Sequence, residues 1–309
     1  MVRILAALWA VSALGLAAEP TAAQLAAQVR DAGLDPSACY RVLDLDLSRE
    51  DLHVYFTSGY LMFGKPVNGV RLTAVFSASA EDGDAEVLLL PPRRSERLSL
   101  SNFAHVPNLE EHFGSAILVF TDSTADDLLA AIRKHQAERG SIESPEMGQL
   151  LAANWNSVVS NITESFDVRL VRDLLSPGGA SRGVFFMAVA GRKLGNFDVV
   201  YDPRGPEQIT VGRFTHRNDR PVFDVWTSFE SRSIRNGSRK PPAPPFSLTD
   251  FHIDATLARD LSMKAVTRAT IQWTGAPARA FQFQISPQVR VTEARLDGEP
   301  AEVFARESL

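Results

Sequence analysis

Much of the chain carries the apolar–polar pattern of β-strands, and helical spacing is confined to a short stretch near its start and a longer one near its middle. Residues 24–36 begin with a short Ala/Gln-rich helical stretch and run into Gly33 and Pro36. From Tyr40 the pattern is β-rich. "LHVYFTSGYLMFGKPV" (52–67) predicts two strands around Ser58-Gly59, because glycine tolerates the positive φ of a hairpin turn. "VRLTAVFSAS" (70–79), "AEVLLLPP" (85–92) and the buried-type run "SAILVFTD" (115–122) predict further strands, the first two separated by an acidic turn at 81–84.

Two helices follow in the pattern. One covers 125–138 after the capping residues Ser123 and Thr124, with Leu128, Leu129 and Ile132 on one side and Gly140 as its stop. The other covers 145–157 after Ser144-Pro145, with Met147, Leu150, Leu151 and Trp155 at helical spacing. A second β-rich run is expected over 166–175, 183–191, 196–203, 207–214 and 221–229. The first domain, 24–238, is therefore an antiparallel β-rich unit with a two-helix insert. Four prolines in "RKPPAPPF" (239–246) can sustain neither helix nor central strand and mark a linker.

Beyond the linker, alternation is regular. Phe251, Ile253, Ala255 and Leu257 face one way, and so do Ala265, Thr267, Ala269, Ile271 and Trp273. Phe281, Phe283 and Ile285 predict a third strand, and Val289, Val291 and Leu296 a fourth. Asp297-Gly298 predicts a hairpin turn leading to Val303 and Phe304. Each strand should have one wet and one buried face, as in a β-sandwich. Such a sandwich uses about seven strands and 247–309 supplies about five, so the expectation is the front part of one. The fold class is mainly β, with an α+β first domain.

Composition sets the compartment and excludes some partners. With 37 acidic and 32 basic residues the net charge is −5, which gives no concentrated basic face for nucleic acid. The locally basic segment from Arg217 to Lys240 is interrupted by Asp219, Asp224 and Glu230 and is expected to be a solvated loop. "MVRILAALWAVSALGLAAEP" has a basic Arg3, an apolar Ile4–Leu14 and small residues at Gly15, Ala17 and Ala18. That is a signal peptide, 1–18, cleaved after Ala17 or Ala18, with a second possible point after Ala23. Its apolar run is shorter than the ~20 residues of a spanning helix. The mature protein is thus expected in the periplasm or secreted, without a membrane span. Cys39 is the only cysteine, which rules out an internal disulfide and any cysteine-built zinc site. A half-buried, inert thiol is expected.

Candidate chemistry is sparse. "HVPNLEEH" sets His105 and His112 around Glu110 and Glu111, at a spacing that fits no zinc pattern and suits a surface loop entering a short helix. "SPGGASRGVFF" (176–186) has glycines before a strand, whereas a phosphate cradle needs them before a helix. Asp44 and Asp46 belong to the wet face of a strand. Asn161 and Asn236 open glycosylation sequons in form. No Gly-x-Ser-x-Gly is present.

The stretch "FSLTDFHIDATL", the strand "KAVTRATIQWTG" and "FQFQISPQVRVTEARLDGEP" resemble the opening of the N-terminal β-sandwich of the M1 family of zinc aminopeptidases, the gluzincins. The family pattern is Tyr/Phe-x-Ile-Asp in the first strand and a closing Asp-Gly; where it has glycine near the start of the second strand, Ala265 stands here. "VYFTSGYLMFGKPVNG" and "EVLLLPPRRSERLSL" are similar to the β-rich extension ahead of that sandwich in exported bacterial M1-like proteins. The resemblance implies zinc held by His-Glu-x-x-His in a domain after the sandwich. His53, His105, His112, His135, His216 and His252 are the only histidines, no two of them four apart, and Gly-x-Met-x-Asn is also missing. No catalytic, metal-binding or cofactor-binding residue is therefore expected in this chain. Two classes result: the non-catalytic N-terminal portion of an exported M1-like metallopeptidase, partnered by a downstream catalytic domain and serving a structural or substrate-entrance role, or a standalone exported β-rich binding protein.

Overall fold

The computed structural model describes residues 20–78, 83–139, 143–176, 183–217, 220–244, 246–274, 280, 282, 285–286 and 289–304. Residues 1–18, expected to be a signal peptide, lie outside the described residues. The fold is mainly β, built on a nine-stranded antiparallel sheet. Its strands are β1 (Leu34–Arg49), β2 (Leu52–Gly64), β3 (Thr73–Ala78), β4 (Asp84–Leu89), β5 (Leu109–Phe120), β6 (Phe185–Gly191), β7 (Asn196–Tyr201), β8 (Ile209–Arg217) and β9 (Arg220–Phe229). The described helices are α1 (Ala22–Asp31), α2 (Arg94–Ala104), α3 (Thr124–Arg139), α4 (Pro145–Leu174) and the single turn α5 (Arg232–Arg235).

Ser58-Gly59 is not a hairpin. It sits inside β2, at the point where that strand changes partner: 52–58 pairs with β4 and 59–63 with β3. β3 and β4 run end to end between β2 and β5, and β5 changes partner likewise around Gly114. Glycine is required at 59 for close approach rather than for a turn, since a Cβ there would lie 2.6 Å from the Phe76 ring and from the Ser77 carbonyl. The two-helix insert between β5 and β6 is present as α3 and α4. However, α4 continues to Leu174, so the strand expected over 166–175 is helix with Leu175 as its C-cap. Its buried residues Leu151, Val159, Thr163, Phe166 and Leu170, with the half-buried Trp155, recur every three to four positions along one stripe, and this outweighs the β-branched composition.

One face of the sheet carries Phe56, Phe76, Phe113, Phe185, Phe197 and Trp226, with α2 and α3 packed over it. Over part of the other face α4 covers Cys39, Met62, Val75, Ile117, Val119 and Phe186, with α1 packed beside it. α1 is closed by a Thr21–Gln24 capping box, and its Ala22 and Ala23 N–H groups donate to the Glu302 carboxylate, each at 3.0 Å. Cleavage after Ala23 would remove that cap, worth about 1 kcal/mol.

Residues 240–244 have no regular secondary structure. After them, β10 (Phe246–Leu257) and β11 (Met263–Trp273) form an isolated antiparallel ribbon. A bulge at Asp250, whose φ is 53°, absorbs one residue. This brings Phe246, Leu248, Ile253 and Leu257 onto one face with Met263, Ile271 and Trp273. The expected alternation is there, but the expected burial is not: Ile253, Leu257 and Met263 are 62 %, 64 % and 62 % exposed, because no second layer covers them among the described residues. The strand expected at Phe281–Ile285 falls largely outside the described residues. Asp297-Gly298 does turn the chain, with φ of 52° and 88°, between β12 (Arg295–Leu296) and β13 (Glu299–Pro300).

Candidate functional site

The polar chemistry of the chain gathers where the outer face of the sheet is left uncovered, over the C-terminal half of β1, the first half of β2, β4 and the start of β5. Period-two geometry puts Asp44, Asp46, Ser48, His53, Glu86, Glu110 and His112 there. Asp44 and Asp46 are exposed, as expected of a wet face. Asp44 accepts from the Tyr55 hydroxyl at 2.9 Å, and that hydrogen bond raises the Tyr55 pKa.

Ser48, His53 and Asp46 lie together but in the wrong order for a nucleophile. Ser48 Oγ is 3.0 Å from His53 Nδ1 and 3.2 Å from Asp46 Oδ2, so the carboxylate holds the serine instead of orienting the imidazole. "HVPNLEEH" leaves a helix and enters a strand, the reverse of the expected loop-to-helix. His105 ends α2 in the left-handed conformation, and 109–112 are already in β5. The four residues do not converge. Glu111, on the opposite face, is buried and accepts from the Leu194 N–H at 3.0 Å and from that of Lys193. His112 has Asp84 at 2.6 Å on Nδ1 and Glu86 at 3.8 Å on Nε2. Carboxylates flank both ring nitrogens, and no three metal-ligating side chains converge among the described residues.

The second cluster was invisible in the sequence. The sheet curls until the β1–β2 turn meets the segment after β9, and Asp51 joins them. It accepts from the Arg232 N–H at 2.8 Å and from both Arg235 Nη groups at 3.0 Å. Burial would raise the Asp51 pKa, but the hydrogen bonds from Arg235 and Arg232 outweigh it and hold it below the ordinary carboxylate value. Arg217–Lys240 is therefore not a solvated loop. It contains all of β9 and all of α5, and Arg239 donates to the Tyr201 hydroxyl and the Pro203 carbonyl. An open groove beside Asp51 runs between β2, the end of β4, α2 and α5.

Apart from both clusters, burial shifts the titration of Cys39 and Asp198. Cys39 is fully buried against α4, and burial pushes its thiol up to about 11, which makes it inert. Asp198 on β7 is pushed by burial up to about 6, against the pull of the Phe214 N–H and Arg213. A carboxyl with a raised folded pKa holds its proton in the native state between about 4 and 6, while the unfolded chain has released it. Stability should thus fall by about 3 kcal/mol as pH rises through that window, and stay level above it. Asp51 acts in the opposite sense and only below pH 4. Urea unfolding from pH 4 to 7 is expected to show the decline, and Asp198→Asn to flatten it; an unchanged slope in the variant would refute the assignment.

Asn161 is exposed on α4, but Thr163 of its sequon is buried. Asn236 is exposed, its side-chain oxygen accepting from the Ser238 N–H at 2.9 Å. Residues 177–182 of the glycine-rich stretch lie outside the described residues. No described helix is long and apolar enough to cross a membrane. Comparison with protein families, with curated proteins and with solved structures found no match for this chain.

Proposed function

We propose that this chain is the non-catalytic N-terminal portion of an exported M1-like zinc metallopeptidase, with a structural or substrate-entrance role. In this reading the zinc site belongs to a catalytic domain that follows in the same polypeptide. The observation that supports it is the β10–β11 ribbon. Its register collects the apolar side chains on one face and its charged ones, such as Asp254, Lys264 and Arg268, on the other, yet the apolar face lies open. An amphipathic two-stranded ribbon is marginal alone and calls for a second layer. In the resembled family the layer is the rest of the sandwich, through which the ribbon would be joined to the catalytic domain.

The second reading, a standalone exported binding protein, draws support from the groove beside Asp51. Sequencing the gene beyond the codon for Leu309 separates the two. An in-frame continuation with His-Glu-x-x-His is expected; a stop codon there would favour the binding protein. Purified as 309 residues, the chain is expected to hydrolyse no aminoacyl-anilide and to hold no stoichiometric zinc. Robust hydrolysis or one zinc per chain would overturn the non-catalytic assignment.

A further inference from the structure

We infer that the groove beside Asp51 docks an extended acidic segment of a partner protein, one with an aliphatic side chain close to its carboxylate. This stands apart from the metallopeptidase reading. The groove has a volume of about 430 Å³ and is open to solvent, and its lining combines exposed leucines with an excess of arginines. Leu88 is 37 % and Leu90 59 % exposed. Arg97, Arg232 and Arg235 face a single lining carboxylate, Asp51. Glu50 and Glu96, just outside, are committed: Glu50 accepts from Ser233, and Glu96 from the Arg93 N–H.

The three arginines are not equivalent. Arg97 donates through Nε and Nη2 to the carbonyls of Pro91 and Pro92, and Arg235 uses both Nη groups on Asp51. Arg232 meets Asp51 through Nε alone, at 3.3 Å, and its side chain is 58 % exposed. Its Nη1 and Nη2 thus form an open fork, the geometry that takes a carboxylate by two parallel hydrogen bonds. The apolar surface of Leu88 and Leu90 in the same groove selects for an aliphatic neighbour. A small ligand is usually enclosed on most sides, whereas this groove lies open along its length, which suits a strand-like segment whose alternate side chains lie ~7 Å apart.

The test is fluorescence anisotropy of the full chain with a fluorescein-labelled nine-residue peptide of alternating leucine and aspartate. Saturable binding is expected, weakened roughly tenfold when the aspartates are replaced by lysines and about as much by Arg232→Glu. Leu90→Ser should weaken it severalfold, and since Leu90 is exposed this variant decides even if Arg232→Glu fails to fold. Absence of saturable binding, or equal binding by wild type and Leu90→Ser, would overturn the inference. So would displacement of the peptide by an equimolar amount of decanoate, which would mark a site for small amphiphiles.

Discussion

Phe113→Ala is expected to cost the fold about 3–5 kcal/mol, the range for removing a fully buried phenylalanine. Phe56, Phe76 and Phe113 are wholly buried and in mutual ring contact, with centroids 4.8 Å apart for Phe56–Phe76, 5.9 Å for Phe76–Phe113 and 6.2 Å for Phe56–Phe113. They come from β2, β3 and β5, so the triad spans the point where β3 hands over to β4. The melting temperature should fall by roughly 10 °C. Thermal unfolding followed by circular dichroism checks this, and a loss under about 1 kcal/mol would mean the three rings do not form a common core.

Gly148 offers a prediction whose sign is informative. It lies in the first turn of α4, where helix propensity alone would make Gly148→Ala stabilising by about 1 kcal/mol. Packing says the opposite. A Cβ there would lie 2.3 Å from the Pro36 carbonyl oxygen and 2.9 Å from Cys39 Cβ, and the Pro36 carbonyl is backbone and cannot rotate away. Gly148→Ala is expected to destabilise by about 1–3 kcal/mol and Gly148→Val by more, through forced separation of α4 from β1. Urea titrations of both variants settle it. Stabilisation by alanine would show that α4 does not press on β1 at this point.

What the sequence discloses here follows the range of its interactions. The alternation of Ile253, Ala255 and Leu257 with Ala265, Thr267 and Ile271 places β10 and β11 in phase, and Asp297-Gly298 makes its turn, because period and turn chemistry are local. Gly59 misleads for a long-range reason. Its freedom from a Cβ serves the approach of Phe76 from another strand, which looks the same in sequence as a hairpin glycine. The second half of α4 is obscured by Val158, Val159, Ile162 and Val168, residues that favour strands, while the stripe through Val159, Phe166 and Leu170 is what packing selects. Asp51 lies 181 positions from Arg232 in the chain. A pairing at that distance leaves no local mark, so the groove could not be foreseen, and the basic stretch around Arg232 was indistinguishable from a solvated loop.

The open face of the β10–β11 ribbon tests the central claim most directly. Hydrogen–deuterium exchange should be followed across residues 246–273 in the 309-residue chain and in the polypeptide isolated from its source. If the ribbon is the first layer of a sandwich completed further along the same chain, its amides should exchange rapidly in the 309-residue form, close to the rate of a frayed hairpin. In the native polypeptide they should be strongly protected, because a covered sheet opens only with its domain. Equal exchange in both, or a native polypeptide whose mass ends at Leu309, would contradict the account and leave the ribbon as the surface of a standalone protein.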